Sequence, residues 1–170
     1  MVYPLDSGRE DSIITNWDIN HVSAPGLLWA KYADAIGVDK MKAVYGAAWP
    51  PSTVRPGEAV YSVRDAGTYA PPFSPEGRPA AWISLTTDQF DPKHVYMSRG
   101  VWPEWHEHGL GKWMRSWATE IVCSEGGDAI SIWIGVDSNP EHFENVRRDD
   151  FWEPTGMLFS PHMVMFTHFL

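Results

Sequence analysis

The clearest periodicity in the chain begins at Gly109. Apolar side chains fall at Leu110, Trp113, Met114, Trp117, Ile121 and Val122, which is one face of an α-helix, while Lys112, Arg115, Ser116, Thr119 and Glu120 take the other. Gly126-Gly127 close this helix. A strand-like stretch, His94-Val95-Tyr96-Met97 leading to Val101, precedes it. A nearly continuous apolar run, Ala129-Ile130-Ser131-Ile132-Trp133-Ile134-Gly135-Val136, follows. Such a run predicts a strand covered on both faces, as in a parallel sheet. Strand, helix and strand in that order form a βαβ unit with a right-handed crossover.

The remaining segments read more briefly. Ser12–Thr15 suggests a short strand. A helix starts near Ser23 and Pro25, carries the stripe Leu27, Leu28, Tyr32 and Ile36, and ends at Gly37. A second short helix runs from Asp39 to about Ala47 and is stopped by Pro50-Pro51. Strands are expected at Glu58–Val63 and Ala80–Leu85, a polar helix at Pro140–Asp149, and closing strands at Gly156–Ser160 and Met163–Phe169. The order is β-α-α-β-β-β-α-β-α-β-β, an α/β mixed sheet with helices. Between two of those strands, Ala66–Pro79 is rich in proline and glycine, and a connection of that length is either a lid candidate or a wide, disordered hairpin connection.

Length adds that residues 1–170 make one domain. Charge adds more: 22 acidic against 13 basic side chains give a net charge of −9, which repels phosphate backbones and argues against non-specific nucleic-acid binding. The single cysteine, Cys123, leaves no internal disulfide framework and no cysteine-rich zinc site. Met1–Asp6 lacks the basic and apolar blocks of a signal peptide, and no apolar run approaches the ~20 residues that span a bilayer. The expectation is a soluble cytoplasmic protein with no membrane partner; a homodimer is left open.

The segment with chemistry in it is Val101-Trp102-Pro103-Glu104-Trp105-His106-Glu107-His108-Gly109-Leu110-Gly111. Two glycines two residues apart open a long helix directly after a strand. A helix's first turn carries unpaired N–H groups and a partial positive charge, and glycine lets an anion approach that backbone closely. No Gly-Lys-Ser/Thr follows, so this is no Walker A loop, and the third glycine of a Rossmann fingerprint is missing. His106-Glu107-His108, with His94 and Glu104 nearby, also admits a metal-site enzyme, though no H-E-x-x-H or cysteine pair accompanies it.

In these residues the chain resembles the GNAT superfamily of acyl-CoA-dependent N-acyltransferases. That family's signature, Val-x-Pro-x-x-Arg/Gln-x-x-Gly-x-Gly/Ala, is matched by Val101, Pro103, Gly109 and Gly111. Val136-Asp137-Ser138-Asn139-Pro140 resembles its strand ending in Asn-Pro, and Asp150–Gly156 its turn before two closing strands. The resemblance implies a GNAT-like mixed central sheet flanked by helices, with the parallel strands four and five splayed apart. It implies acetyl-CoA or another acyl-CoA as co-substrate and an amine as acceptor. The amides of His106, Glu107, His108, Gly109, Leu110 and Gly111 would bind pyrophosphate with Lys112 nearby. The backbone at Val101 would pair with the pantetheine arm, and Asn139 would touch it.

The chain departs from the pattern in three respects. His106 stands where the signature has Arg or Gln, Val146 where many members carry a general-acid tyrosine, and Val95 and Ile134 where a general base is common. His94 and Tyr96, flanking the apolar Val95, are the replacement candidates. The departures keep a second reading open, a GNAT-fold module that binds CoA or regulates without catalysis. The aromatic content keeps a third, a nucleobase-modifying enzyme of the same fold. Eight of the ten tryptophans divide by position, Trp17 and Trp152 staying unplaced. Trp113, Trp117, Trp133 and Trp82 are expected in the core, Trp102 and Trp105 beside the turn, and Trp29 and Trp49 on the acceptor side. A pocket walled by them suits a flat or apolar acceptor.

Overall fold

An eight-stranded mixed sheet organises the chain, in the strand order β1-β2-β3-β4-β5-β6-β8-β7. The computed structural model describes residues 2–4, 16–45, 49, 51, 53–65 and 79–170. Its elements are β1 (Val2–Pro4), β2 (Asn16–Val22), α1 (Gly26–Ile36), α2 (Val38–Tyr45), β3 (Glu58–Asp65), β4 (Ala81–Thr87), β5 (His94–Val101), α3 (Leu110–Ser124), β6 (Ala129–Gly135), α4 (Pro140–Arg148), β7 (Glu153–Phe159) and β8 (His162–Phe169). A single 3₁₀ turn, Pro103–Trp105, separates β5 from α3.

All neighbouring strands are antiparallel except β5 and β6. These two pair only from His94↔Ala129 to Tyr96↔Ser131, although β5 continues to Val101 and β6 to Gly135. Beyond Tyr96 they part. They are the expected splayed fourth and fifth strands, moved one place along by the short β1. The expected Ser12–Thr15 strand and nearly all of the Ala66–Pro79 loop lie outside the described residues. The first long strand is instead β2, whose Trp17 and Ile19 are buried while Asn20 and His21 are exposed.

Helix α3 lays its apolar stripe, Leu110, Trp113, Met114, Trp117, Ala118 and Val122, on one sheet face. There it meets Ile83, Leu85, Val95, Met97, Ile130 and Ile132 in the main core, which Val146 of α4 and Trp152 also enter. A second core holds Trp29, Tyr32, Ala33, Met41, Val60, Trp82 and Trp102, packing α1 and α2 on strands β3 to β5. Alternation decides this division: Trp82 lies on one face of β4, while its neighbours Ala81 and Ile83 belong to the other core. Cys123, late on α3, is exposed. Among the described residues no helix is long and apolar enough to cross a membrane.

Candidate functional site

The parting of β5 and β6 leaves a gap that the surrounding elements turn into a pocket of about 450 Å³. Tyr96, Met97, Ser98 and Arg99 line it from β5, and Ile132, Trp133, Ile134 and Gly135 from β6. On one side stand Trp29, Tyr45, Trp49, Arg55, Glu58, Trp82 and Ser84. On the other are Asn139 and His142 of α4. The pocket therefore joins the aromatic core beneath α1 and α2 to the space beside α4.

The turn between β5 and α3 is shaped by two left-handed residues, Glu107 (φ 64°) and Gly109 (φ 75°). Gly109 is the N-cap of α3, and it makes no side-chain cap bond, so the first-turn amides have no side-chain acceptor from the cap. His106 and His108 are engaged locally. The His106 Nε2 lies 3.0 Å from the Val101 carbonyl, and the His108 Nδ1 lies 2.7 Å from the His106 carbonyl. Leu110 is buried in the core, which leaves only its backbone for a ligand, while Lys112 is exposed. The turn is tied to the gap through Arg99, whose Nη1 donates to the Gly111 carbonyl at 2.5 Å. Among the described residues no three His, Cys, Asp or Glu side chains converge to hold a metal.

The edge of β5 that faces the gap is already engaged. The His94 carbonyl and the Trp102 amide turn toward the β4 side, accepting from Asp88 and donating to Ala80. Alternate residues, among them Arg99 and Val101, therefore turn their backbone toward β6. The Tyr45 hydroxyl donates to the Arg99 carbonyl at 2.9 Å, and His106 takes the Val101 carbonyl. Burial pushes the Tyr45 hydroxyl well above the ordinary phenol range, so it stays a donor at neutral pH. Burial also raises the Tyr32 hydroxyl to about 12, against a lowering hydrogen bond from the Val101 backbone.

His94 and Tyr96 occupy different surroundings despite stacking on each other at 4.7 Å. The His94 Nε2 sits 2.6 Å from the Ser131 hydroxyl, which continues to Thr167 and Thr155, also in 2.6 Å steps. This chain ties β6 to β8 and β7 in the paired part of the sheet; His94 is not in the pocket lining. Tyr96 is, and its hydroxyl donates to Asp88 Oδ2 at 3.0 Å. Burial and that carboxylate raise the phenol above its ordinary value. Asn139, the N-cap of α4, makes no side-chain cap bond and so keeps its amide for the pocket.

Three lining residues escape the sequence reading. Glu58 accepts from the Ser84 hydroxyl at 2.5 Å and the Arg55 amide at 2.9 Å, and is the only carboxylate among the described lining residues. His142 is pushed down to about 4 by burial and then by the charge of Arg99, which keeps it neutral at pH 7. Arg99 is the third.

The tryptophans sort differently from expectation at one position. Trp133, expected in the core, is 37% exposed and lines the gap. A continuous apolar run implies cover on both faces, but where β5 leaves β6 one face of Trp133 opens. Trp102 packs edge-on against Tyr32, with centroids 4.9 Å apart, and Trp105 against Trp17 at 5.2 Å, so both serve packing. Trp29 and Trp49 do line the pocket. There Trp49 stacks on both Tyr45 and Trp82, at 4.9 Å and 5.5 Å, and those two lie 6.0 Å from each other.

No protein-family model and no curated protein matches the chain by sequence. Solved structures do match it in fold. The GNAT domain of S. lividans PAT superposes with a TM-score of 0.68 at 8% identity, covering 94% of this chain and 93% of that one. A spermidine N-acetyltransferase from Vibrio cholerae, in complex with CoA and spermine, gives 0.63 at 10% identity, over 90% and 95% of the two chains. An IAA acetyltransferase from Bacillus cereus gives 0.60 at 12% identity, over 91% and 99%. The chain has the GNAT fold.

Proposed function

We propose that this GNAT-fold chain is an acyl-CoA-dependent N-acyltransferase, most simply an N-acetyltransferase that moves an acyl group from coenzyme A to an amine. The observation that carries the reading is the parting of β5 and β6 after Tyr96. The gap it opens lies between a glycine turn suited to an anion and a pocket side walled by aromatics. Acyl-CoA would enter from the turn, with its phosphates on the amides of residues 107–111, Lys112 nearby, and its arm between Val101 and Asn139. The His106 amide, expected in that set, donates instead to the Pro103 carbonyl at 3.2 Å. The fold's occurrence in a spermidine N-acetyltransferase in complex with CoA supports this use.

An acceptor amine would approach past Trp29, Trp49 and Trp82. Its nitrogen forms the new C–N bond to the thioester carbon as the C–S bond breaks. The nitrogen's proton passes to a carboxylate, and Glu58 is placed for that role. Tyr96, of the two replacement candidates the one on the gap, holds its proton at neutral pH, and to protonate the leaving thiolate it would first release its bond to Asp88. Most of the acceleration comes from holding amine and thioester together rather than from strong acid–base groups.

One observation favours the module that binds without transfer. Val95, Ile134 and Val146 are all buried in the core, so none of the three positions where the fold's enzymes often keep acid or base offers one. Calorimetry with acetyl-CoA, followed by thiol release over an amine panel, separates the readings. The proposal expects binding and amine-dependent thiol release. Binding without release leaves the module, and no binding at millimolar ligand removes both.

The engaged β5 edge adds an expected result. A pantetheine arm pairing there must displace the Tyr45 hydroxyl from the Arg99 carbonyl. In Tyr45→Phe that carbonyl waits unsatisfied, a cost of about 1 kcal/mol that the ligand relieves. Affinity for acetyl-CoA is therefore expected to rise roughly fivefold, read by the same calorimetry; a fall would place the arm elsewhere.

A further inference from the structure

Along the face of β5 beneath α3 the side chains run Val95, Met97, Arg99 and Val101. Val95 and Met97 are buried in the main core, and Val101 packs against it. Arg99 thus places a guanidinium where the two-residue period calls for an apolar side chain. It spans from the strand to the first turn of α3, where it donates to the Gly111 carbonyl, and it opens on the gap beside Asn139 and His142. A guanidinium carries five N–H donors, and one bond to a neutral carbonyl leaves most of them for another partner.

The surroundings do not neutralise it. Among the described residues no carboxylate lies within ion-pair distance of Arg99; Asp149, the nearest in its influence, is bonded by Arg115 at 2.6 Å. His142 contributes a neutral ring. Burial and the like charge of Arg115 lower Arg99 to about 10, which leaves it cationic at neutral pH. A half-buried cation whose bond is to a neutral carbonyl favours an anion that completes it. His106, at the signature's Arg/Gln position, has its Nε2 on the Val101 carbonyl, 3.0 Å away, and so does not reach into the gap in the place of that arginine.

We infer that Arg99 is the anion-binding residue of the gap, its free donors taking anionic oxygen from the acyl-CoA, either a cofactor phosphate or the carboxylate of a dicarboxylic acyl chain. The inference rests on the acyl-CoA reading above and adds to it a side-chain contact and a source of acyl selectivity. A planar fork suits both phosphate and carboxylate oxygens.

The test measures binding of CoA, acetyl-CoA, succinyl-CoA and phosphate-free pantetheine to the wild type, Arg99→Gln and Arg99→Met. Gln keeps a donor for the Gly111 carbonyl and removes only the charge; Met removes both. Circular dichroism identifies which variants are folded, and either folded variant suffices. A tenfold or greater loss for CoA and acetyl-CoA, with pantetheine unchanged, assigns Arg99 to a phosphate. A comparable loss confined to succinyl-CoA assigns it to the acyl carboxylate. Binding of all four ligands within twofold of wild type overturns the inference while leaving the acyl-CoA reading in place. Failure of the wild type itself to bind any acyl-CoA removes that reading and the inference together.

Discussion

Gly109→Val is expected to reduce acetyl-CoA binding by more than about a hundredfold, as two or more hydrogen bonds to an anion are lost together. Gly109 sits at φ 75° as the N-cap of α3. A valine there must either adopt a left-handed conformation that its branched Cβ disfavours or pull the turn into another shape. In the first case its methyls stand over the amides that a pyrophosphate would approach; in the second those amides no longer converge. The strain itself is about 1–2 kcal/mol, so the thermal midpoint is expected to fall only a few degrees. Gly109→Asn is the matched comparison, since asparagine tolerates this conformation and leaves the backbone in place. It should bind within about tenfold of wild type, an allowance of roughly 1.4 kcal/mol for its side chain. Calorimetry on the three proteins decides the point. Wild-type affinity in the valine variant would remove the turn as the phosphate site.

The turn was legible in the sequence because its signal is local: two glycines and a helix with a clean apolar stripe. The splay could be anticipated only through the resemblance, because where parallel strands part depends on pairing between residues 94–96 and 129–131, set by contacts far apart in sequence. For the same reason Trp133 looked like core. Its run of apolar neighbours is what a doubly covered strand looks like, and nothing within the run tells where the covering strand turns away.

Glu58, Arg99 and His142 differ in how visible they were. Arg99 carried a readable sign, a charge in the apolar phase of a strand whose other members, Val95, Met97 and Val101, obey the pattern. Glu58 carried none, since its hydroxyl partner Ser84 lies 26 residues away on the next strand. His142 lies on a mostly polar helix and is half-buried where α4 closes one side of the gap. At the N-terminus, β2 alternates Trp17 and Ile19 inward, the two-residue period of a half-buried strand. Local patterns thus gave the elements, while the pocket between them emerged from non-local pairing.

Gly100→Val should be the most damaging single substitution in the strand bearing the site. Gly100 is buried on the face of β5 beneath α1, in register with Trp82 of β4. A Cβ at this position would overlap the Trp82 indole nitrogen and lie 2.6 Å and 2.8 Å from Tyr32 Cζ and Cε2. Those rings are not the free ends of flexible chains. Tyr32 packs edge-on against Trp82 at 5.9 Å and Trp102 at 4.9 Å, and Trp82 packs against Trp29 at 6.2 Å. To admit even one methyl, α1 must lift from the sheet. Overpacking of ordinary cores costs about 1–3 kcal/mol, and a rigid aromatic cluster places valine at or beyond the upper end. For a chain of this size that is a fall of roughly 6–12 °C in the melting midpoint. Gly111→Ala supplies the contrast. Its Cβ would meet only the Arg99 guanidinium, at 3.8 Å, and it lies in a helix where alanine is preferred. Its midpoint should stay level or rise. Thermal melts of the two variants check both, and a Gly100→Val protein as stable as wild type would mean that the aromatic core under α1 is not packed as described.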